Sequence, residues 1–323
     1  MENYPPYSIT DKMLDYVSKI MKKVGELDYI NLNKKPELRK QNRINSIHSS
    51  LAIENNALSL NQVKDVIDGK PVIGEQKDIQ EVKNAYKAYE ELENINPYSI
   101  EDIKRIHGIM TFLVEKESGR FRTHGEGVYD GDVLIFMCPP ARMVNTLMEQ
   151  LFNWLNEAKD RVHPLILSSV FHYEFVFIHP FGDGNGRMAR LWQTAILSKW
   201  EKVFEYIPIE SLIKKYQEDY YKAISNCNAA GNSNEFIEFM LKMINETMSD
   251  LLESATQETT QKTTQEKIID LIKDNPDITQ TEMASKLGIT RDGISYNIKQ
   301  LKDNGIIERI GSTKKGSWRV LTN

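Results

Sequence analysis

A run of apolar residues from Phe171 to Ile178 stops at His179-Pro180-Phe181-Gly182-Asp183-Gly184-Asn185-Gly186-Arg187-Met188-Ala189-Arg190, and helical apolar spacing resumes with Leu191, Ala195 and Ile196. Proline and closely spaced glycines break regular structure, so the pattern reads as a helix, a tight loop and a second helix. The loop opens at a helix N-terminus, where free N–H groups and the helix dipole favour an anion. A fold for this chain has to seat an anion-ready turn between two helices.

The residue types in the loop say which anion. Gly184 and Gly186 let backbone amides approach phosphate oxygens without interference from Cβ. Asn185 offers a side-chain amide donor to the same anion. Arg187 and Arg190 stand at i and i+3, so they share a helix face and both reach a phosphate tail. Asp183 suits a hard divalent cation such as Mg²⁺, which is usually bound through carboxylates and substrate phosphates. His179 is the one nearby group whose ordinary pKa lies close to neutrality, as a general base requires. Phe181 packs the loop onto the core. Each feature alone has an ordinary structural reading, but their coincidence points to a nucleotide polyphosphate.

These residues resemble the signature of the Fic family, H-P-F-x-D/E-G-N-G-R-x-x-R, and match it at every fixed position. The resemblance implies transfer of AMP from ATP to a Ser, Thr or Tyr hydroxyl of a target protein, or of the chain itself, with release of pyrophosphate. By this likeness His179 deprotonates the hydroxyl, Asp183 holds Mg²⁺, and Gly184, Asn185 and Gly186 cradle the phosphates. Arg187 and Arg190 bind the β- and γ-phosphates, and Met188 and Ala189 fall within the same ATP-binding stretch. Upstream, Ser50-Leu51-Ala52-Ile53-Glu54-Asn55 matches S/T-x-x-x-E-G/N, the family's inhibitory-helix pattern, on a helix expected over about 38–56. The resemblance implies that Glu54 pairs with Arg190, removes it from the γ-phosphate and leaves the enzyme autoinhibited. Some relatives use this glutamate to position a water that removes AMP again, so Glu54-dependent de-AMPylation is an alternative on the same fold.

Two further stretches fit the resemblance. Gly119-Arg120-Phe121-Arg122 leads into an Asp130-Gly131 pair and a β-prone run, Val133 to Met137, that read as a hairpin closed by Pro139 and Pro140. In the family this is the flap, here about 120–140, which aligns a target segment by strand pairing. Leu134, Ile135, Phe136 and Met137 fall where its second strand touches the nucleotide. Asp219 to Asn228 resembles the adenosine-side helix, with Tyr220 or Tyr221 stacking on adenine and Asn228 hydrogen-bonding it. His172, His48, His107, His124 and His163 are read as structural.

The rest of the chain is expected to be mainly α. Apolar spacing at three and four predicts helices over 9–24, 38–56, 60–68, 76–94, 99–115, 140–158, 164–178, 186–199, 211–226 and 234–253. Ser8, Ser99 and Asn234 are candidate N-caps. The expected organisation is an N-terminal helical region over 1–110, a Fic-type helical core with its β-hairpin flap over 111–253, a linker over 254–265 and a small α+β domain over 266–323. Ser254 to Gln265 is nearly devoid of apolar side chains, which motivates the linker.

After it come helices expected over about 266–273, 279–287 and 291–304, then strands at Ile306 to Ile310 and Trp318 to Leu321, joined by a basic tip. This order resembles the winged-helix domains of bacterial regulators. The resemblance implies DNA binding, with Arg291, Ser295, Tyr296 and Lys299 on the recognition helix and Lys314 and Lys315 on the wing. From Lys262 onward 11 Lys and Arg face 8 Asp and Glu, a net of +3, a modest electrostatic footprint for DNA. Protein docking or self-association remains open beside DNA, and a nucleotide-sensing DNA-binding regulator is the rival reading from another class. With 323 residues there is room for about two domains, and the net charge of −5 argues against a broadly nucleic-acid-coating protein. Two cysteines, Cys138 and Cys227, form no disulfide framework, and no signal segment or long apolar span is evident, so a cytoplasmic setting without a membrane partner is expected.

Overall fold

The computed structural model describes residues 5–29, 36–130, 133–260, 264–311 and 316–321. It divides into two compact units, Met1–Leu252 and Glu253–Asn323.

The first unit is a helical assembly. Its helices are α1 (Asp11–Tyr29), α2 (Pro36–Ile53), α3 (Leu60–Ile67), α4 (Gln76–Glu90) and α5 (Ile100–Met110), then a hairpin of β1 (Gly127–Asp130) and β2 (Val133–Met137). It continues with α6 (Ala141–Ala158), α7 (Pro164–Ile178), α8 (Asn185–Trp200), α9 (Ile209–Lys215) and α10 (Gln217–Ala230), and α11 (Asn234–Thr260) begins in it and runs past its last residue. The centre is the α7–α8 pair. Residues Leu165 to Tyr173 of α7 are buried without interruption, so this helix is enclosed around its circumference. Pro164 starts it, and the His163 side chain caps it by accepting from the Leu165 N–H. α8 is buried from Arg187 to Leu197.

α2 is different. Its buried face includes Asn42, Ser46, Ser49 and Ser50 as well as Ile44, Ile47, Leu51 and Ile53. The hairpin strands run antiparallel, pairing Val128 with Phe136 and Tyr129 with Leu134. That register leaves Ile135 as the extra residue of a bulge.

Several sequence expectations change at their edges. α2 ends at Ile53, short of 56, because Asn55 adopts the left-handed region with φ 67° and turns the chain out of the helix. The expected helix over 211–226 is two, α9 and α10, separated at Tyr216 (φ −110°, ψ 39°). Thr10 rather than Ser8 caps α1, its Oγ1 accepting from the Met13 N–H at 3.2 Å, while Ser8 exchanges hydrogen bonds with the Asn234 side chain. Ser99 is the N-cap of α5, accepting from the Asp102 N–H. The expected linker is helical up to Thr260, and the next helix starts at Thr264. Ala, Gln and Glu between 254 and 260 propagate an existing helix readily, so weak hydrophobicity there did not mean irregular backbone.

The second unit contains α12 (Thr264–Asp274), α13 (Gln280–Leu287), α14 (Arg291–Asp303), β3 (Ile307–Ile310) and β4 (Ser317–Val320). Thr279 and Glu282 form a capping box at the start of α13, and Gly288 ends it in the left-handed conformation. Ile268, Ile272, Met283, Ile294, Ile298, Leu301 and Trp318 make its core, with the indole N–H donating to the Ile278 carbonyl at 3.1 Å. The strands pair antiparallel, giving the helix, helix–turn–helix, hairpin order of a winged helix.

Among the described residues no helix is long and apolar enough to cross a membrane, and no group of His, Cys, Asp or Glu is placed to hold a metal by itself.

Candidate active site

His179 caps α7 in the left-handed region (φ 52°, ψ 60°), an uncommon conformation for a residue with a Cβ. Arg122, 2% exposed, holds it there. Its Nε donates to the His179 carbonyl at 2.7 Å and its backbone N–H to the Pro180 carbonyl at 2.9 Å. The same guanidinium donates to the carbonyls of His124 and Pro139, at the two feet of the hairpin, at 2.9 and 2.6 Å. One buried arginine thus ties the flap to the loop. The His179 Nδ1 faces the Val176 carbonyl at 3.3 Å, which favours the Nδ1–H tautomer and leaves an Nε2 lone pair. Burial pushes the imidazole pKa below its ordinary value, so the ring is neutral at neutral pH.

The loop itself is braced from within. Asn185 Oδ1 accepts from the Phe181 N–H at 3.0 Å and its Nδ2 donates to the Phe181 carbonyl at 2.8 Å. This corrects the expectation that its amide faces an anion: the amide closes the turn. His107 of α5 stacks on Phe181 (3.6 Å, 4°), accepts from the Gly119 N–H through Nδ1, and bonds the Asp183 carbonyl through Nε2 at 2.9 Å. Burial lowers its pKa to about 4 and keeps it neutral.

Gly184 is the N-cap of α8 at φ 78°, and no side chain caps this helix. A Cβ at Gly184 would press on Thr111 Cγ2 at 3.1 Å, and one at Gly186 would collide with Glu54 Oε1. The first turn of α8 is therefore bare backbone, suited to an anion.

The arginines above it are buried. Arg187 donates to Asp183 Oδ2 at 2.9 Å and to Glu81 Oε1 at 3.2 Å, and its Nε is buried without a partner. Arg190, its side chain 1% exposed, donates from Nη2 to Glu54 Oε1 at 2.7 Å and to the Ser50 carbonyl, and from Nε to Ser50 Oγ at 3.0 Å. Its Nη1 is buried and unpartnered. Burial opposes the charge, but Glu54 outweighs it and raises the guanidinium pKa. Arg187 Nε and Arg190 Nη1 are thus two buried N–H groups without a partner on a helix whose start no side chain caps.

Asp183 accepts from the Gly184 N–H and from Arg187. Burial pushes its pKa up, yet Arg187 and that N–H more than offset this and hold it below its ordinary value. Its side chain keeps 40% exposure, so the remaining carboxylate lone pairs fit a hard cation.

Other expected residues fall elsewhere. Tyr220 is in the core, its hydroxyl 3.0 Å from His172 Nε2 and its ring against Phe236 and Phe239, so it has no free face for adenine. Tyr221 is exposed. Asn228 Oδ1 accepts from the Tyr173 hydroxyl at 2.8 Å. The side chains of Met188 and Ala189 are fully buried and line no site surface. Phe136 packs on Phe177 (5.3 Å) and Met137 is exposed. Leu134 and Ile135 lie on β2, and their side chains are outside the described residues.

In the second unit Arg291, Ser295, Tyr296 and Lys299 are all exposed on α14, while Lys314 and Lys315 lie outside the described residues. Arg122, His107 and Glu81 were not anticipated as parts of the site. The sequence carries no local signal for them, because each acts on the loop through space from a distant segment.

Known proteins resemble the chain in sequence and in fold. Residues 97–197 match the Fic/DOC family and residues 261–308 match a winged helix-turn-helix DNA-binding family. The crystal structure of a Fic family protein from Desulfovibrio desulfuricans is 36% identical, with a TM-score of 0.77, and the match covers 99% of each chain. The chain is 28% identical over 261 residues to a protein adenylyltransferase Fic of Nematostella vectensis, covering 77% of this chain and 57% of that one. It is 31% identical over 229 residues to a protein adenylyltransferase Fic of Culex quinquefasciatus, covering 68% and 43%. The chain thus spans about half the length of the curated relatives it matches. A relative of equal length and matching fold, together with the intact loop and its supporting residues, assigns the chain: it belongs to the Fic family.

Proposed function

We propose that the chain is an autoinhibited protein adenylyltransferase that moves AMP from ATP to a hydroxyl of a protein. The observation that carries this reading is the convergence, at the start of α8, of an uncapped helix N-terminus, two arginines with unsatisfied buried donors, and a neutral histidine with a free Nε2 lone pair. Arg187, Arg190 and the first-turn amides of α8 bind the triphosphate. His179 Nε2 accepts the proton of the target hydroxyl, the hydroxyl oxygen forms a bond to the α-phosphorus, and the bond to pyrophosphate breaks. Asp183 is the residue that would hold Mg²⁺, which when bound supplies charge neutralisation of the phosphates. The flap is a two-stranded sheet, and a strand edge left unpaired there suits an extended target segment laid along it.

The brake is the Glu54–Arg190 pair. Glu54 occupies the space above Gly186 and takes one arm of an arginine that the γ-phosphate needs. ATP labelled at the α- or the γ-phosphate tests both parts. Label from the α-position alone is expected on protein, about tenfold or more stronger in Glu54→Gly and lost when His179→Ala is added. Label from the γ-position, or undiminished label without His179, would sink the assignment.

For the second unit the reading is DNA binding through Arg291, Ser295, Tyr296 and Lys299 of α14. Its support is their joint exposure on one helix. Substituting Lys299 by Ala in the full chain should weaken DNA retention and reduce its salt dependence by about one unit of slope. Equal retention at low and high salt would refute the phosphate-contact part of this reading.

A further inference from the structure

The turn after α2 carries the braking glutamate, and one neighbouring segment grips the helix rung by rung. Ser46 Oγ donates to Glu210 Oε2 at 2.8 Å, and the hydroxyls of Ser49 and Ser211 meet at 3.2 Å. Lys214 Nζ donates to the Ala52 carbonyl at 2.8 Å, and Gln217 Nε2 donates to the Ile53 carbonyl at 3.1 Å. The rungs ascend toward Glu54. On the far side Tyr89 of α4 donates to the other oxygen of Glu210 at 2.7 Å. Ser50 Oγ accepts from Arg190 Nε. Glu210 thus bridges α2 and α4, and Ser50 ties α2 to Arg190.

The buried apolar residues set which face of α2 turns inward, and directional hydrogen bonds fix its register more finely. Hydrogen bonds to a buried carboxylate are directional, and sliding α2 would strand that carboxylate in the core. At the other end, Lys214 and Gln217 satisfy two of the carbonyls that a helix leaves open at its C-terminus, just before the turn that carries Glu54. The lysine also complements the negative end of the helix dipole. Neither group touches the loop or the arginine pair directly.

We propose that Glu210 and Lys214 are positioning residues of the brake: they set the register and the C-terminal end of α2, so that Glu54 meets Arg190. This rests on the autoinhibition reading above.

The test uses the full chain carrying Glu210→Gln or Lys214→Met, each with and without Glu54→Gly. AMP incorporation from α-labelled ATP and amide hydrogen exchange over residues 50–56 are measured. With Glu54 present, each variant should raise incorporation about fivefold to tenfold, the scale of one lost ordinary hydrogen bond. In the Glu54→Gly background neither should raise it further. Exchange over residues 50–56 should quicken while that of α7 stays unchanged, and Lys214→Arg, which keeps a charged donor, should restore the brake. A purely structural role would instead lower incorporation in both backgrounds, and that result overturns the proposal, as does unchanged exchange. If Glu54→Gly itself fails to raise incorporation, the brake reading is what fails. Exchange then still decides whether Glu210 and Lys214 position α2.

Discussion

The α7–α8 seam and the α2–α9 seam both end on an active-site residue, yet they are made of different materials. α7 is enclosed mostly by apolar side chains, with Phe171 and Phe175 fully buried and His172 bonded to Gln193 of α8 at 2.6 Å, and it delivers His179. α2 meets α9 through serines, a glutamate and a lysine, and it delivers Glu54. Close packing of large apolar side chains resists displacement, because any shift opens voids. A hydrogen-bonded seam has a specific register but a small net energy, since water replaces its partners when it opens. His179 is thus delivered by packing that resists any shift, while hydrogen bonds select the register at which Glu54 is delivered.

Truncation breaks this comparison most directly. Phe175→Ala in α7 should cost about 3–5 kcal/mol, and Ser46→Ala in α2 only about 1–2 kcal/mol, both measured by urea unfolding of the full chain. Equal costs would mean that the two seams do not differ as described. A smaller effect is expected from pH. Burial holds the His179 pKa below its ordinary value, so the neutral, proton-accepting form persists as pH falls through 6.5. The acid limb of the transfer rate should therefore lie below pH 6.5, and a limb above it would contradict a buried base.

Stability should change over an overlapping window, and the sign follows from which state binds the proton. His107, lowered to about 4, and His172, lowered to about 3, are neutral in the fold but titrate near 6.5 when unfolded. Between those values the unfolded chain takes up more protons, so their contribution is complete above pH 6.5 and is lost as pH falls toward 4. Unfolding midpoints measured across the same pH range separate this loss from the loss of the base.

The sequence made the loop, its two helices and the pairing of Glu54 with Arg190 legible, because each rests on residues close together in the chain or on a family pattern. It also marked most helices, since their apolar periodicity is local. It misjudged the end of α2 and the break at Tyr216, where the backbone of one residue decides the outcome. Tyr220 and Asn185 show a second kind of limit. Their types fit a ligand-facing role, but His172 and the backbone of Phe181 had already taken their polar atoms. Which partner a polar group finds is not a property of its neighbours in sequence.

By itself, then, the sequence determined the chemistry that the loop can carry and the helices that present it, because glycine, proline and apolar spacing act over a few residues. Only the tertiary structure decided that Arg122 locks His179 in a left-handed turn, that His107 braces Asp183, and that Glu210 and Lys214 grip the helix that precedes Glu54. The reason is that each of these is a directional contact between distant segments, which exists only once apolar burial has brought them together.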